Sequence, residues 1–151
     1  MENERRKPST SLESGQSLVE VAIGMIVLLI IFSGLVDFGR AYFAYVAIED
    51  AANEGATFLS INPACKYASD SGCDDPNNAE YRAAHSSSGE IDWSKVVIDV
   101  KNFEIAAGEP VYVTITYDLP LITPFLPPIL GRDSITLTTT ASHIIITEKE
   151  N

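Results

Sequence analysis

From Val21 to Val36 the chain reads VAIGMIVLLIIFSGLV, with no charged side chain and no polar face. A helix that is apolar all round must lie in a large core or in lipid. Extended back to Leu18, past Glu20, the run covers about 19 residues, or roughly 28 Å of helix, which matches a hydrocarbon core. A secretory signal would have a shorter apolar region, roughly 7–15 residues, followed by a small-residue cleavage site. Here SGLVDFGR follows and the helical pattern continues. The helix of a soluble protein would need a polar face that this run lacks. The expectation is therefore a single membrane span over about 18–36.

The flanking charges predict an orientation. Arg5, Arg6 and Lys7 precede the run, whereas Arg40 is the only Lys or Arg from Asp37 to Ala56. An excess of basic residues marks the cytoplasmic side. The N-terminus is then cytoplasmic, and the rest of the chain is extracytoplasmic, anchored in the cytoplasmic membrane.

Beyond the span, Phe38, Ala41, Tyr42, Tyr45, Ile48, Ala52, Gly55 and Leu59 recur at three- and four-residue steps, with Glu49, Asp50, Asn53 and Glu54 largely on other faces. That spacing predicts an amphipathic continuation of the same helix. Ile61–Asn62–Pro63 ends it, because the residue before proline is pushed out of helical geometry. The expected helix has about 43 residues and is near 65 Å long. Tyr42 and Tyr45 fall where interfacial aromatic belts form.

Residues 61–94 are loop-rich, with a short helix predicted over Asn77–His85, capped by Asp75 with Pro76 in its first turn. Cys65 and Cys73, the only cysteines, lie in this segment. In an extracytoplasmic loop they read as a disulfide, and otherwise as two free thiols.

From residue 95 the period changes to two. Val96, Ile98 and Val100 alternate, then Phe103 and Ile105 in a shifted phase, which suggests a bulge at Lys101–Asn102. Val111, Val113, Ile115, Tyr117 and Leu119 form the apolar face of a second strand. Ile135, Leu137, Thr139, Ala141, His143 and Ile145 form one face of a third. Three antiparallel strands with one apolar face need a cover, which the amphipathic half of the long helix can supply. The predicted class is α+β: a long transmembrane-plus-amphipathic helix packed on a small three-stranded antiparallel sheet. Between the last two strands PLITPFLPPILG is apolar and proline-rich. Its prolines argue against regular structure. Ile122, Phe125 and Leu126 either fold back over the core or meet a partner or the membrane surface.

No motif for catalysis or nucleotide binding occurs, and no Cys/His set has metal-ligand spacing. The acidic residues Asp70, Asp74 and Asp75 lack the spacing of a calcium loop. His85 and His143 read as structural. No cofactor or metal is expected, and the chain reads as an assembly part rather than an enzyme. A net charge of −11 over 151 residues repels phosphate backbones, so nucleic acid is excluded as a partner.

Gly15-Gln16-Ser17-Leu18-Val19-Glu20, behind a short basic leader and ahead of an apolar helix, resembles the processing region of type IV prepilins. That resemblance implies cleavage between Gly15 and Gln16 by a prepilin peptidase, and pairing of Glu20 with the new amine of a neighbouring subunit. A carboxylate near an apolar core is costly alone, and a cationic partner offsets that cost. A membrane-edge residue facing headgroups and water would need no partner.

The segment from Gly15 to about Ser60, with Asp37-Phe38-Gly39-Arg40 and the AANEGA element at 51–56, is similar to the TadE-like family of pilin-like proteins in tight-adherence (Tad, or Flp) pilus systems. Many members carry a mid-span proline, where this chain has Gly24 and no proline. The resemblance implies a minor pilin or pseudopilin whose partners are pilin-like subunits, the pilus assembly machinery, the peptidase and membrane lipid. Gly24, Ser33, Gly34 and Gly39 are the small residues that would let neighbouring helices approach. The implied organisation is a leader at 1–15, the long helix at 16–60, a loop-rich segment at 61–94 and the β region at 95–151. Two other readings stay open. One is an uncleaved envelope protein whose exported part holds a partner, and the other is a membrane-tethered enzyme.

Overall fold

The computed structural model describes residues 10–86, 91–102, 104–124 and 126–147. It divides into two compact units at Val36/Asp37. Helix α1, Thr10–Ile61, contributes to both. Its described part includes residues on both sides of the proposed cleavage point at Gly15/Gln16. The leader's basic residues Arg5, Arg6 and Lys7 lie outside the described residues.

In the first unit the apolar side chains from Leu18 to Val36 are exposed. α1 is the one helix among the described residues that is long and apolar enough to cross a membrane, and none of its most apolar window is buried.

The second unit contains the rest of α1, helix α2 (Ala79–Ser86), strand β1 (Val96–Asn102), strand β2 (Pro110–Pro120), helix α3 (Leu126–Leu130) and strand β3 (Ser134–Ile144). The strands form one antiparallel sheet in the order β1-β2-β3. This is the mixed α+β arrangement that the alternating strands predicted. In β2, Val111, Val113, Ile115, Tyr117 and Leu119 are buried. They belong to the same core as Ala44, Ile48, Ala51, Ala52, Ala56 and Leu59 of α1.

The lengths of these elements match. Residues 37–61 of α1 rise about 36 Å, and β2 extends about 34 Å. At one end of β2 the Arg40 guanidinium donates to the Pro120 carbonyl, 3.2 Å away. At the other end, just past β3, the Ile146 amide donates to the Ser60 carbonyl (2.9 Å) and the Thr147 hydroxyl to the Ile61 carbonyl (2.7 Å). β2 therefore runs antiparallel to this part of α1, with the β2–β3 connection beside Asp37–Arg40.

Several expectations need correction. Phe38 is 71% exposed, and Tyr42 and Tyr45 are also exposed. The buried stripe keeps the expected Ala41, Ile48, Ala52, Gly55 and Leu59, with Ala41 half-buried, and adds Asp37, Ala44, Ala51 and Ala56. Small alanines, rather than the aromatics, let helix and sheet approach. The phase slip after Lys101 is not a bulge. β1 pairs residue for residue from Val96↔Tyr117 to Asn102↔Val111 and then ends. Ile105 belongs to the turn that follows, where Gly108 takes a φ of 92°, and Phe103 lies outside the described residues. The prolines between β2 and β3 do not prevent regular structure, because Leu126–Leu130 forms a short helix with Pro127 and Pro128 near its start, where proline is tolerated.

Helix α2 begins at Ala79, and its cap is Asn78 rather than Asp75. The Asn78 Oδ1 accepts from the Tyr81 amide at 2.7 Å, the usual N-cap contact. The Asp75 carboxylate is instead occupied by the Asn78 side-chain amide, at 2.6 Å.

Candidate functional site

The glycines of α1 differ in their surroundings. A Cβ added at Gly15, Gly24, Gly34 or Gly39 would meet nothing within 4 Å. Ser33 and Gly34 are half-buried, while Gly15, Gln16, Glu20 and Gly24 are exposed. These candidates share one helix and are not brought together by the chain itself. Gly55, by contrast, has Ala79, Ala83 and Val113 each at 3.4 Å from an added Cβ. It is where α2 and β2 close on α1.

A buried polar arrangement in the second unit is built around Asp37, one residue past the apolar run and 4% exposed. Its Oδ1 accepts from the Ile122 amide at 3.3 Å. Its Oδ2 accepts from the Thr123 amide at 3.2 Å and from the Thr123 hydroxyl. Arg40, one helical turn on, places Nη1 3.6 Å from the Asp37 Oδ1 and also bonds the Pro120 carbonyl. Burial works against the Asp37 charge. The Thr123 hydroxyl, the Ile122 and Thr123 amides and the Arg40 guanidinium outweigh it, and the carboxyl stays below its ordinary range. This is a clamp. The acidic and basic ends of Asp-Phe-Gly-Arg hold the start of the proline-rich loop against α1. Periodicity missed this role, because a lone Asp following an apolar run looks like a span terminator. The detectable signal was the i,i+3 pair of opposite charges at that edge.

The loop held there exposes Ile122 (62%), Ile129 (69%) and Leu130. Leu126 is half-buried. Of the three loop residues singled out, Ile122 is exposed, Leu126 is half-buried, and Phe125 lies outside the described residues.

Cys65 and Cys73 are joined by a disulfide. The loop it closes is ordered further by Asp70, whose Oδ2 accepts from the Lys66 and Tyr67 amides, both at 2.9 Å. The Tyr67 hydroxyl accepts from the Val100 amide at 3.2 Å, covering part of the free edge of β1. Asp92 caps the turn that leads into β1. Bonds from the Ser94 hydroxyl and Lys95 hold its carboxyl below the ordinary range.

His85 stacks on Tyr81, with ring centroids 3.8 Å apart, and its Nδ1 is 2.9 Å from the Tyr81 carbonyl. His143 sits half-buried in β3. Among the described residues no group of three His, Cys, Asp or Glu side chains could hold a metal ion.

Neither a curated protein nor a solved structure matches the chain. Residues 15–57 match the family model described as TadE-like protein, so the similarity to that family runs along helix α1 from the glycine ahead of the apolar run to the alanine stripe on the sheet.

Proposed function

We propose that this protein is a minor pilin or pseudopilin that acts structurally in assembling a Tad-type pilus. The observation that carries the proposal is the coincidence of the TadE-like match over 15–57 with a helix whose large apolar side chains from Leu18 to Val36 are exposed in the single chain. A helix with no polar face and no intramolecular neighbour is built to be covered from outside, by lipid and then by other helices. In this proposal a prepilin peptidase cuts between Gly15 and Gln16, and Glu20 meets the freed amine of a neighbouring subunit. Gly24, Ser33, Gly34 and Gly39 line the helix contacts. The N-terminus is cytoplasmic, and residues from Asp37 onward are extracytoplasmic, which suits a disulfide at Cys65–Cys73. Partners are pilin-like subunits and the assembly machinery, and no catalytic step is assigned.

Intact-mass measurement of the native membrane-extracted chain tests processing. Loss of residues 1–15 is expected, with loss blocked in Gly15→Leu. A native chain that keeps its leader overturns the peptidase step. Crosslinking tests the role of Glu20. Glu20→Ala should insert in the membrane normally but crosslink less to pilin-like subunits. Unchanged crosslinking returns Glu20 to the role of a membrane-edge residue.

A further inference from the structure

The β2–β3 connection carries an uncharged, apolar stretch of the second unit. From Leu119 to Gly131 there is no Asp, Glu, Lys or Arg, in a chain whose net charge is −11. Ile122, Ile129 and Leu130 are exposed there. The segment is closed at its base, where the Leu121 amide donates to the Asp133 carbonyl at 3.0 Å. It is tied to Asp37 by the Ile122 and Thr123 amides. Asp37 directly follows Val36, the last residue of the apolar run, so the tie lies about 1.5 Å of helix rise past the end of the span. We propose that this loop, with α3, is a foot that inserts into the bilayer surface where α1 leaves it.

The backbone chemistry suits that occupant. Entering the interface strips water from amide N–H groups, which is costly for any left without an acceptor. Pro124, Pro127 and Pro128 have no N–H to strip. The amides of Leu121, Ile122 and Thr123 are bonded as described, and Gly131 donates to the Pro127 carbonyl at 2.9 Å. Lipid is favoured over a second copy by continuity. The loop is tethered at the residue where the proposed span ends, so a bilayer holding residues 18–36 is the apolar phase within its reach. Asp37 and Arg40 act as positioning residues that keep the foot at that level. Phe38, exposed in the same turn of α1, extends the apolar surface at the exit. This inference rests on the membrane-span reading of 18–36.

Trp93 is the only tryptophan, so tryptophan quenching by lipid can report one position at a time. In a Trp93→Phe background, Ile129→Trp, Leu28→Trp and Val97→Trp full-length proteins would be reconstituted in phosphatidylcholine vesicles, with part of the lipid brominated either near the headgroup or near the chain ends. Val97 is exposed on β1 and serves as the aqueous control. At 129, headgroup-proximal bromine should quench strongly, with iodide in the buffer quenching less than at 97. At 28, chain-end bromine should quench. In Asp37→Ala, with the disulfide and far-UV circular dichroism retained, lipid quenching at 129 should fall towards that at 97.

If 129 behaves like 97 in the wild-type background, the foot is overturned while the span stands. A residue 129 shielded from both bromolipid and iodide assigns the patch to a second protein surface and overturns lipid as its occupant. A residue 28 open to iodide overturns the span, and with it this proposal.

Discussion

The two stretches of α1 on either side of Val36 share one backbone conformation and almost nothing else. Before it, the apolar side chains are exposed and the glycines face open space. After it, one alanine-rich stripe is buried against β2, and Gly55 touches α2 and β2. Helix formation by itself therefore says little about where stability resides. The second stretch is stabilised by what it covers, and the first is left for surroundings that the single chain does not supply. A substitution in the first should alter assembly and leave folding alone, whereas one in the second should do the reverse.

The largest expected difference is between Ile48→Ala and Leu28→Ala. Ile48 is fully buried at the centre of the core. Its truncation removes buried methyl groups and leaves a cavity, costing about 2–5 kcal/mol. Leu28 is 64% exposed, so truncation there should shift stability by less than about 0.5 kcal/mol. Urea titration of the full chain in detergent, followed by near-UV circular dichroism, measures both. A Leu28→Ala loss as large as that of Ile48→Ala would break the contrast.

The disulfide should come next. Cys65 and Cys73 are separated by 8 residues, and closing a loop of that size restricts the unfolded chain by about 2.5 kcal/mol in the chain-entropy picture. Cys65→Ser/Cys73→Ser should lower the urea midpoint of the second unit accordingly. Membrane insertion, which depends on residues 18–36, should not change. Insertion that fails in the double variant would show that the two units are not energetically separate.

The two carboxylates at the ends of the apolar run sharpen the comparison further. Asp37 is buried and accepts three hydrogen bonds, whereas Glu20 is exposed. Asp37→Ala strands the Ile122 and Thr123 amides, so a loss of about 1–3 kcal/mol is expected. Glu20→Ala should leave the unfolding midpoint unmoved. The pH dependence has a definite sign. The folded Asp37 carboxyl is held below its ordinary value. Its contribution is complete above the unfolded carboxyl pKa of about 3.9 and is lost as pH falls through the lower folded value. Wild type should therefore lose more stability than Asp37→Ala between pH 5 and the acid limit of about pH 2. Equal losses would place the acid sensitivity elsewhere.

Much of this arrangement was legible in the sequence, for identifiable reasons. The apolar run, the period-two strands and the paired cysteines are each set by local pattern, and the sheet follows from alternation alone. The expected helix face was right at Ala41, Ile48, Ala52, Gly55 and Leu59 and wrong at Phe38, Tyr42 and Tyr45, where large aromatic surface was taken for core. Close packing on the sheet selects instead the small residues Ala44, Ala51 and Ala56. The Asn78 cap was missed because Asp and Asn cap about equally well and the helix was expected to begin at Asn77, two residues before its observed start at Ala79. The Asp37 clamp joins positions 85 and 86 residues apart, and no local rule reaches that far. The candidates Gly15, Gln16, Glu20, Gly24, Ser33, Gly34 and Gly39 concern a peptidase and neighbouring subunits, which a single chain cannot display.

The smallest expected effect is at the glycines, where the two stretches of α1 can be compared by the same change. Glycine in a helix interior is about 1 kcal/mol less favourable than alanine. At Gly34 the added methyl enters open space, so Gly34→Ala should leave the second unit's unfolding midpoint where it is. Its effect should appear only in crosslinking to neighbouring helices, which a larger Gly34→Leu should weaken further by keeping the helices apart. At Gly55 the methyl arrives at 3.4 Å from Ala79, Ala83 and Val113, the near edge of ordinary contact. The propensity gain and the tight fit then nearly cancel, and Gly55→Ala should stay within about 1 kcal/mol of wild type. Gly55→Leu cannot be accommodated and should cost about 1–3 kcal/mol through overpacking, without affecting membrane insertion. If Gly55→Leu is tolerated while Gly34→Leu unfolds the second unit, the division of α1 into an outward-facing and an inward-facing stretch is wrong.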